Sequence, residues 1–367
     1  MNLKIILKTF ALFYLAILIN LYAYAEEKII KVGVIAPLSG NVATWGNDVR
    51  NVLQFAQEKL KAKNIQFIFE DDQCIGKNAL SAAYKLIDLD KIDFGVVVCT
   101  ESMLSVAPIF EKSKVLVISP VASGEAVTKA GDYIFRIWPS DSKAGHLLFD
   151  FVSQKHKTFG VLTENRGYAH EMTQSFLNAA HGSKLKILSE SFNSVDSDFR
   201  SLLLRLKSQK VEGLFINTNS ERTFANILDQ LRQINWNLPK YGVYMPGNSS
   251  LLSLARSSAE GIVFVAAPSM ESSLAPEGKL LNSEFVSRYG ELQSSSFVFA
   301  STFELFQRLF SLGFSNDDPR KQLYMGRFNG VFGPYSFDKN GDVVGVQHEL
   351  MEIKNGVAIK KNNLDNN

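Results

Sequence analysis

The chain is poor in the residues that build metal sites and nucleophilic sites: its 367 residues include two cysteines and five histidines. The histidines show no spacing typical of metal ligands, and none accompanies a Gly-x-Ser-x-Gly elbow. The chain also lacks a Gly-Lys-Ser/Thr phosphate loop, and the stretch from Gly40 to Gly46 has too few glycines for a dinucleotide fingerprint. We therefore expect no enzyme activity, no metal and no cofactor.

Net charge is small as well. Lysine and arginine number 39 against 37 aspartate and glutamate residues, which gives +2 at pH 7. No basic patch stands out, so the composition argues against a nucleic-acid partner. Outside the N-terminus, no apolar run approaches the length that a membrane-spanning helix needs. The composition is therefore that of a water-soluble globular protein.

The first 25 residues are typical of a secretory signal peptide. Two lysines precede an apolar run (10–22), and the Ala-Tyr-Ala at 23–25 is the small-x-small pattern that signal peptidase prefers. An uncleaved anchor is the alternative, but Asn20 interrupts the run below the roughly 20 apolar residues of a spanning helix. We expect cleavage near Ala25. Because Glu26 is not a cysteine, we do not expect lipidation. We expect instead a protein that is free in the periplasm.

Both cysteines lie in the exported part of the chain. Cys74 and Cys99 are the two thiols, and exported proteins normally pair such thiols. A metal site is the competing use, but the spacing contains no CxxC and no nearby histidine pattern. We therefore predict a disulfide between Cys74 and Cys99.

Strand-like and amphipathic helical segments alternate along the mature chain. Short apolar runs, such as Ile29 to Ala36, are followed by apolar residues at helical spacing, such as Val49 and Leu53. Two successive sets of such units predict an α/β fold with two doubly wound lobes, each built on a parallel sheet with helices on both faces. After Pro268 the pattern is helical, and short strands with turn residues follow from Phe332 to Ile359.

Hydroxyl residues recur where the predicted strands end. Thr100 follows the third strand, Ser123 the fourth, and Ser220 a strand of the second set. Ligands of open parallel sheets bind beyond the carboxyl ends of the strands, and helix N-termini there favour a carboxylate. Each hydroxyl taken alone is equally typical of a plain helix cap. Their coincidence around one predicted cleft favours a ligand site.

A family resemblance is carried by seven motifs, in this order: VGVIAPLSG at Val32–Gly40, EDDQC at Glu70–Cys74, VVVC at Val96–Cys99, ISPVAS at Ile118–Ser123, DYIFR at Asp132–Arg136, SDFRSLL at Ser197–Leu203 and FGPYSFDKNGD at Phe332–Asp342. Together they resemble type I periplasmic binding proteins. More narrowly, they are similar to the leucine/isoleucine/valine-binding branch of ABC-transporter receptors. The resemblance extends over nearly the whole mature chain.

The resemblance implies a type I periplasmic binding fold, whose two lobes close on a small solute around a hinge with several crossing segments. Lobe one would combine residues 27–141 with 268–327, and lobe two residues 142–267 with 328–360, leaving 361–367 as a polar tail. The family's disulfide matches the bridge predicted above. The implied partners are a small amino acid or related carboxylate or amide solute and an ABC permease in the inner membrane, with the receptor a monomer.

The resemblance also implies the residues that hold the solute. Thr100 and Ser123 would grip the ligand carboxylate, with a backbone donor at Val121. Residues from other parts of the pocket complete the set: Tyr168 closing over the ligand from lobe two, Trp45 on the pocket wall, and Ser220 as the best match by spacing to a further family position.

The chain departs from the family where the ligand ammonium should bind. The family usually places an acid after the strand that here is Tyr241 to Tyr244, but this chain continues Met245 to Asn248. Glu101 is the nearest candidate acid, although a first-turn glutamate also stabilises its own helix. A buried ammonium without a partner would cost several kcal/mol. We therefore hypothesise a carboxylate or amide solute, with a branched-chain amino acid as the alternative.

Two other functions remain open on the sequence. A sensor subunit that reports its ligand state to a membrane receptor would need the same lobe closure as a transport receptor. An exported hydrolase is the other alternative, although the sequence shows no catalytic constellation to support it.

Overall fold

The computed structural model describes residues 28–268, 275–315 and 317–361. The predicted signal peptide (1–25) therefore lies outside the described residues, as does the predicted tail after Lys361. Between these ends, strands and helices alternate as the sequence pattern predicts.

Strands and helices follow one another as repeated β-α units. The strands are Ile30–Ala36 (β1), Ile65–Asp71 (β2), Phe94–Val97 (β3), Leu116–Ser119 (β4), Ile134–Arg136 (β5), Thr158–Glu164 (β6), Lys186–Phe192 (β7), Gly213–Asn217 (β8), Lys240–Val243 (β9), Val263–Ala266 (β10), Phe328–Gly330 (β11), Gly333–Phe337 (β12), Val343–Val344 (β13), Glu349–Lys354 (β14) and Val357–Lys360 (β15). The helices are Ala43–Lys59 (α1), Gly76–Tyr84 (α2), Thr100–Ser113 (α3), Asp141–Ser153 (α4), Gly167–Ala180 (α5), Arg200–Ser208 (α6), Glu221–Gln233 (α7), Ser249–Ala255 (α8), Pro276–Tyr289 (α9), Phe297–Gly313 (α10) and Pro319–Met325 (α11).

The first sheet consists of parallel strands in the order β2-β1-β3-β4-β5. Alternate side chains of a strand point to opposite faces. Val32 and Val34 of β1 accordingly pack in the core formed with α1 and α10, whereas Ile35 packs in the core formed with α2 and α3. A parallel sheet needs this burial on both faces. The first sheet with α1–α3 and α9–α11 is called the first lobe below.

The second sheet has the strand order β15-β14-β10-β9-β8-β6-β7, in which β6 to β10 are parallel and β14 and β15 antiparallel. It also has a core on each face. Leu162 and Leu214 pack with α6–α8, whereas Phe159 and Phe215 pack with α4 and α5. The second sheet with α4–α8 is called the second lobe. The predicted α/β fold with two doubly wound lobes is therefore confirmed.

The C-terminal segment divides between the lobes and departs from the predicted assignment of 328–360 to lobe two. Strands β11 to β13 pack on the first lobe, where the rings of Phe337 and Phe135 lie 5.3 Å apart and Arg136 pairs with Asp342 at 2.6 Å. Only β14 and β15 join the second sheet. The correction has a simple cause, because short strands rich in turn residues carry no sequence signal for the sheet on which they pack.

Each sheet has one point where the strand order reverses, between β1 and β3 in the first lobe and between β6 and β8 in the second. Loops that leave neighbouring strands at such a point run apart and open a crevice at the carboxyl ends. Helices α1, α3, α5 and α7 begin at these two crevices. Residues at or near their N-termini line one cleft between the lobes.

Candidate ligand-binding site

The cleft between the lobes encloses ≈ 820 Å³, its open mouth included. Its two walls come from different lobes. The first-lobe wall includes Trp45, Val98, Thr100, Glu101, Val121 and Ser123. The second-lobe wall includes Tyr168, Ile216, Asn219, Phe224, Val243 and Met245.

Six of the seven candidate residues from the sequence line this cleft, and Ser220 does not. The Ser220 hydroxyl accepts a hydrogen bond from the Thr223 N–H at 3.3 Å and caps α7. The two neighbours before it, Thr218 and Asn219, line the cleft in its place. The sequence could not separate the two roles, because a capping hydroxyl and a ligand-facing hydroxyl occur at the same place in a strand-loop-helix unit.

Helix α3 begins at the cleft without a capping side chain. Its N-cap residue is Cys99, whose sulfur forms the disulfide with Cys74, so the predicted bridge is confirmed. The first N–H groups of a helix have no intrahelical acceptor, and the helix dipole favours an anion beside them. The Thr100 hydroxyl accepts the Gly124 N–H at 3.1 Å, which leaves its own hydrogen available to a ligand. This end of the cleft is therefore built to receive an anion.

The neighbouring loop after β4 is held by its own serine. The Ser119 hydroxyl accepts the N–H groups of Val121 at 3.3 Å and Ala122 at 2.8 Å. The backbone donor predicted at Val121 is thus already engaged, through the longer of these two contacts. The loop presents the Val121 side chain and Ser123 to the cleft.

Behind Ser123 lies a buried polar cluster that sequence reasoning missed. Asp141 is fully buried, accepts the Ser123 hydroxyl at 3.0 Å and accepts the Tyr244 hydroxyl at 2.7 Å. The Tyr244 oxygen also lies 2.7 Å from Nε2 of His348. Burial raises the pKa of Asp141 to about 6, although hydrogen bonds from Tyr244 and Ser123 lower it. Burial likewise lowers the pKa of His348 to about 3, so this ring is neutral at neutral pH.

The backbone at Tyr244 is strained. Its φ of 55° and ψ of −60° lie in a region that residues other than glycine rarely occupy. Its ring packs edge-on against Trp138, with the centroids 5.4 Å apart, and Trp138 contacts Trp45 in the same manner at 6.0 Å. The strained turn therefore places an aromatic ring from the second lobe into a cluster of the first lobe.

Two acids of the second lobe near the cleft, Glu164 and Glu221, have protein partners, and those of Glu221 include Trp45 on the first-lobe wall. Glu164 accepts the Thr218 hydroxyl and the Asn219 N–H, each at 2.7 Å. Glu221 accepts the Asn248 side-chain amide at 3.0 Å, and burial raises its pKa. Met245, the first residue of the Met245–Asn248 stretch, lines the cleft and carries no charge. Among the described residues that line the cleft, Glu101 is the sole carboxylate.

Helix α5 of the second lobe contacts the first lobe directly. The Arg166 guanidinium donates to the Cys74 carbonyl at 3.2 Å, and a Cβ at Gly167 would lie 3.7 Å from the Glu101 Oε2. The carboxylate of Glu101 therefore faces the N-terminus of α5, where the helix dipole favours it. Two further contacts follow along the same helix, from the Ala126 N–H to Glu171 and from the Ser175 hydroxyl to Glu125.

In the described part of the chain, no cluster of His, Cys, Asp and Glu is arranged to hold a metal ion. The same residues include no helix long and apolar enough to cross a membrane.

Comparisons with known proteins agree with this architecture. The chain is 25% identical over 348 residues to the leucine-, isoleucine-, valine-, threonine-, and alanine-binding protein of Pseudomonas aeruginosa, covering 90% of this chain and 91% of the relative. A leucine binding protein from Thermotoga maritima superposes with a TM-score of 0.82 at 22% identity, over 91% of this chain and 98% of that chain. An ABC-transporter solute binding protein from Rhodopseudomonas palustris, in complex with 3,4-dihydroxy benzoic acid, superposes with a TM-score of 0.76 at 20% identity, over 92% and 98%.

A family profile also matches most of the chain. A profile of the family described as periplasmic binding protein matches residues 29–357, which include both lobes and the cleft. With two doubly wound lobes and a cleft at their switch points, the chain belongs to the type I periplasmic binding proteins, within the group related to the Leu/Ile/Val-binding proteins.

Proposed function

We propose that this protein is a solute receptor of an ABC importer that binds a small carboxylate without an α-ammonium group between its lobes. The observation that carries the proposal is the contrast within the cleft. Helix α3 offers uncapped N–H groups and the Thr100 hydroxyl to an anion, whereas no acid stands in the stretch from Met245 to Asn248, where the family resemblance leads us to expect one.

The body of the solute would lie against the second-lobe wall. Ile216, Phe224, Val243 and Met245 give this wall an apolar part, beside which Asn217, Thr218 and Asn219 lie. A buried ammonium there would lack a free counter-charge, because Glu101 of the first lobe faces the N-terminus of α5 and the second-lobe acids Glu164 and Glu221 accept hydrogen bonds from protein groups. An apolar or aromatic body with one carboxylate therefore fits the cleft better than an amino acid does.

Proteins of this fold accommodate both kinds of ligand. The Pseudomonas relative is named for the binding of amino acids, and the Rhodopseudomonas structure holds a benzoic acid, which has a carboxylate and no ammonium. These ligands belong to those proteins. They support the proposal only because they show that proteins of this fold can bind a carboxylate with or without an ammonium group.

Cellular context completes the proposal. Residues 1–25 would direct export and be removed near Ala25, and the receptor would work in the periplasm as a monomer. Closure of the lobes would present the loaded receptor to a permease in the inner membrane, and no chemical step on the solute is expected. Loss of solute uptake on deletion of the gene, with chemotaxis intact, would support transport over sensing.

Matched ligand pairs test the proposal directly. Leucine and 4-methylpentanoate differ only by the α-ammonium, and so do phenylalanine and 3-phenylpropanoate. Isothermal titration calorimetry of the mature protein should show the carboxylate of a pair binding at least about tenfold more tightly than its amino acid. Tighter binding of both amino acids than of their amine-free partners would refute the proposal. Mass spectrometry of solute released from the purified protein would identify the natural ligand.

A further inference from the structure

The hydroxyl of Ser123 lies between the cleft and a buried acid. Ser123 lines the cleft, and its hydroxyl donates to the Asp141 Oδ2 at 3.0 Å. A serine hydroxyl has one hydrogen to donate. As long as that hydrogen points to Asp141, Ser123 can offer the cleft only its oxygen lone pairs, which repel a carboxylate.

Protonation of Asp141 would reverse this arrangement. A neutral carboxyl group has an O–H that can donate to the Ser123 oxygen, which frees the Ser123 hydrogen for a ligand in the cleft. Tyr244 would continue to donate to the other oxygen, Oδ1, from which it lies 2.7 Å away. Neutralisation also removes a negative charge that lies directly behind the ligand site, separated from it by one side chain.

We propose that Asp141 is a positioning residue that links the binding of a carboxylate solute to the uptake of one proton from solvent, with Ser123 as the group that changes its donor direction. The inference rests on the proposed function, because it concerns the same cleft and the same class of ligand. By thermodynamic reciprocity, a ligand that favours the protonated acid binds more tightly as the pH falls.

The charged and titratable groups around Asp141 allow this change near neutral pH. Burial raises the pKa of Asp141 to about 6. The groups that face it or its partners come from every element packed around it: Arg136 at the end of β5, Lys143 of α4, Tyr168 and Glu171 of α5, Tyr244 after β9, and His348 before β14. Arg136 favours the ionised acid, and Glu171 disfavours it. His348 stays neutral because burial lowers its pKa to about 3. Burial also raises the pKa of Glu171, so the assignment to Asp141 rests on the direct hydrogen bond between its carboxylate and Ser123.

Calorimetry with 4-methylpentanoate and 3-phenylpropanoate as probes tests the inference. Between pH 8 and pH 5.5, where the probes stay ionised, the Kd of the wild-type protein should fall about tenfold, which corresponds to a rise of about one unit in the pKa of Asp141 on binding. Titration at pH 7 in two buffers of different ionisation heat should show uptake of about half a proton per ligand. This second measurement uses the unmodified protein and does not depend on the folding of a variant.

Two variants assign the effect to its residue. Asp141→Asn keeps a donor toward Ser123 at every pH, so its Kd should vary less than about twofold over this range and should be tighter than that of the wild type at pH 8. His348→Gln should retain the full pH dependence. A wild-type Kd independent of pH, without proton uptake, would overturn the inference alone. Failure of the wild-type protein to bind either probe at any pH would overturn the proposed function and the inference with it.

Discussion

The two walls of the cleft are built from the same unit, a parallel strand followed by a loop and a helix. They differ in how the N-terminus of the helix is capped. In the first lobe, α3 begins after Cys99, whose sulfur is committed to the disulfide, and no side chain caps the helix. In the second lobe, α7 begins after Ser220, which caps its own helix. The first wall thus presents the N–H groups at the uncapped start of α3, whereas the second wall presents the apolar side chains of Ile216, Phe224, Val243 and Met245 beside the polar Thr218 and Asn219. This difference supports the proposal of a solute with one anionic end and one uncharged end.

The largest expected effect comes from giving the second wall a charge. Met245→Glu restores an acid near the position where the family usually has one, and it places a second carboxylate in the cleft. We expect the preference between 4-methylpentanoate and leucine to shift toward leucine by about a hundredfold or more, because one ligand gains a counter-charge and the other meets a like charge. Calorimetry on both ligands measures the shift.

The matched control at this position is Met245→Gln, which is polar and neutral. It should weaken both ligands to a similar extent and leave their ratio within about threefold of the wild-type ratio. Equal changes in the ratio for both variants would show that charge at this wall does not decide selectivity.

A smaller loss should follow from removing the donor on the first wall. Thr100→Val keeps the shape of the side chain and deletes the hydroxyl, so it removes a hydrogen bond to a charged group. We expect 4-methylpentanoate to bind about ten- to a hundredfold more weakly. Thermal unfolding would serve as a check on the fold, since the Gly124 N–H also loses its acceptor. Unchanged affinity would show that α3 does not hold the carboxylate.

Ionisation of Asp141, behind the first wall, should make the free energy of unfolding depend on pH. The folded-state pKa of Asp141 is raised to about 6 from an ordinary value of 3.8, so the folded protein binds more protons than the unfolded chain between these values. Between pH 8 and pH 5, the free energy of unfolding of the wild type should therefore rise by about 1.4 kcal/mol relative to Asp141→Asn. Urea unfolding of both proteins at the two pH values measures the difference, and parallel curves would contradict the assignment.

The smallest effect is expected at the capped helix. Ser220→Ala should lower the free energy of unfolding by about 1 kcal/mol through loss of the cap. Carboxylate affinity should stay within about twofold of the wild type, because the hydroxyl is turned toward Thr223. A large loss of affinity with little loss of stability would place Ser220 in the binding site after all.

Sequence alone could predict the parts of this molecule that depend on local pattern. The alternation of apolar runs with helical periodicity predicted both sheets, and the positions after the strands predicted Thr100 and Ser123 at one cleft, to which the family resemblance added Tyr168. These inferences work because the carboxyl ends of parallel strands meet at one edge. The exported context similarly predicted the bridge between Cys74 and Cys99.

The polar cluster behind the site had no such signal. Asp141, Tyr244 and His348 come from three segments, with Tyr244 more than 100 residues away from each of the other two. Their contact exists only because the chain crosses repeatedly between the lobes. Ser220 illustrates the opposite limit, since its place at the start of a helix follows from the sequence pattern, whereas the direction of its hydroxyl, a matter of one rotamer, does not.

The row of contacts along α5 has a thermodynamic consequence for the affinity of the receptor. Contacts such as that from Arg166 to the Cys74 carbonyl, and the approach of Glu101 to Gly167, join protein groups of the two lobes and contribute to the free energy of closure whichever solute is bound. A substitution at Arg166, which does not line the cleft, would therefore shift the affinity for every solute by a similar factor.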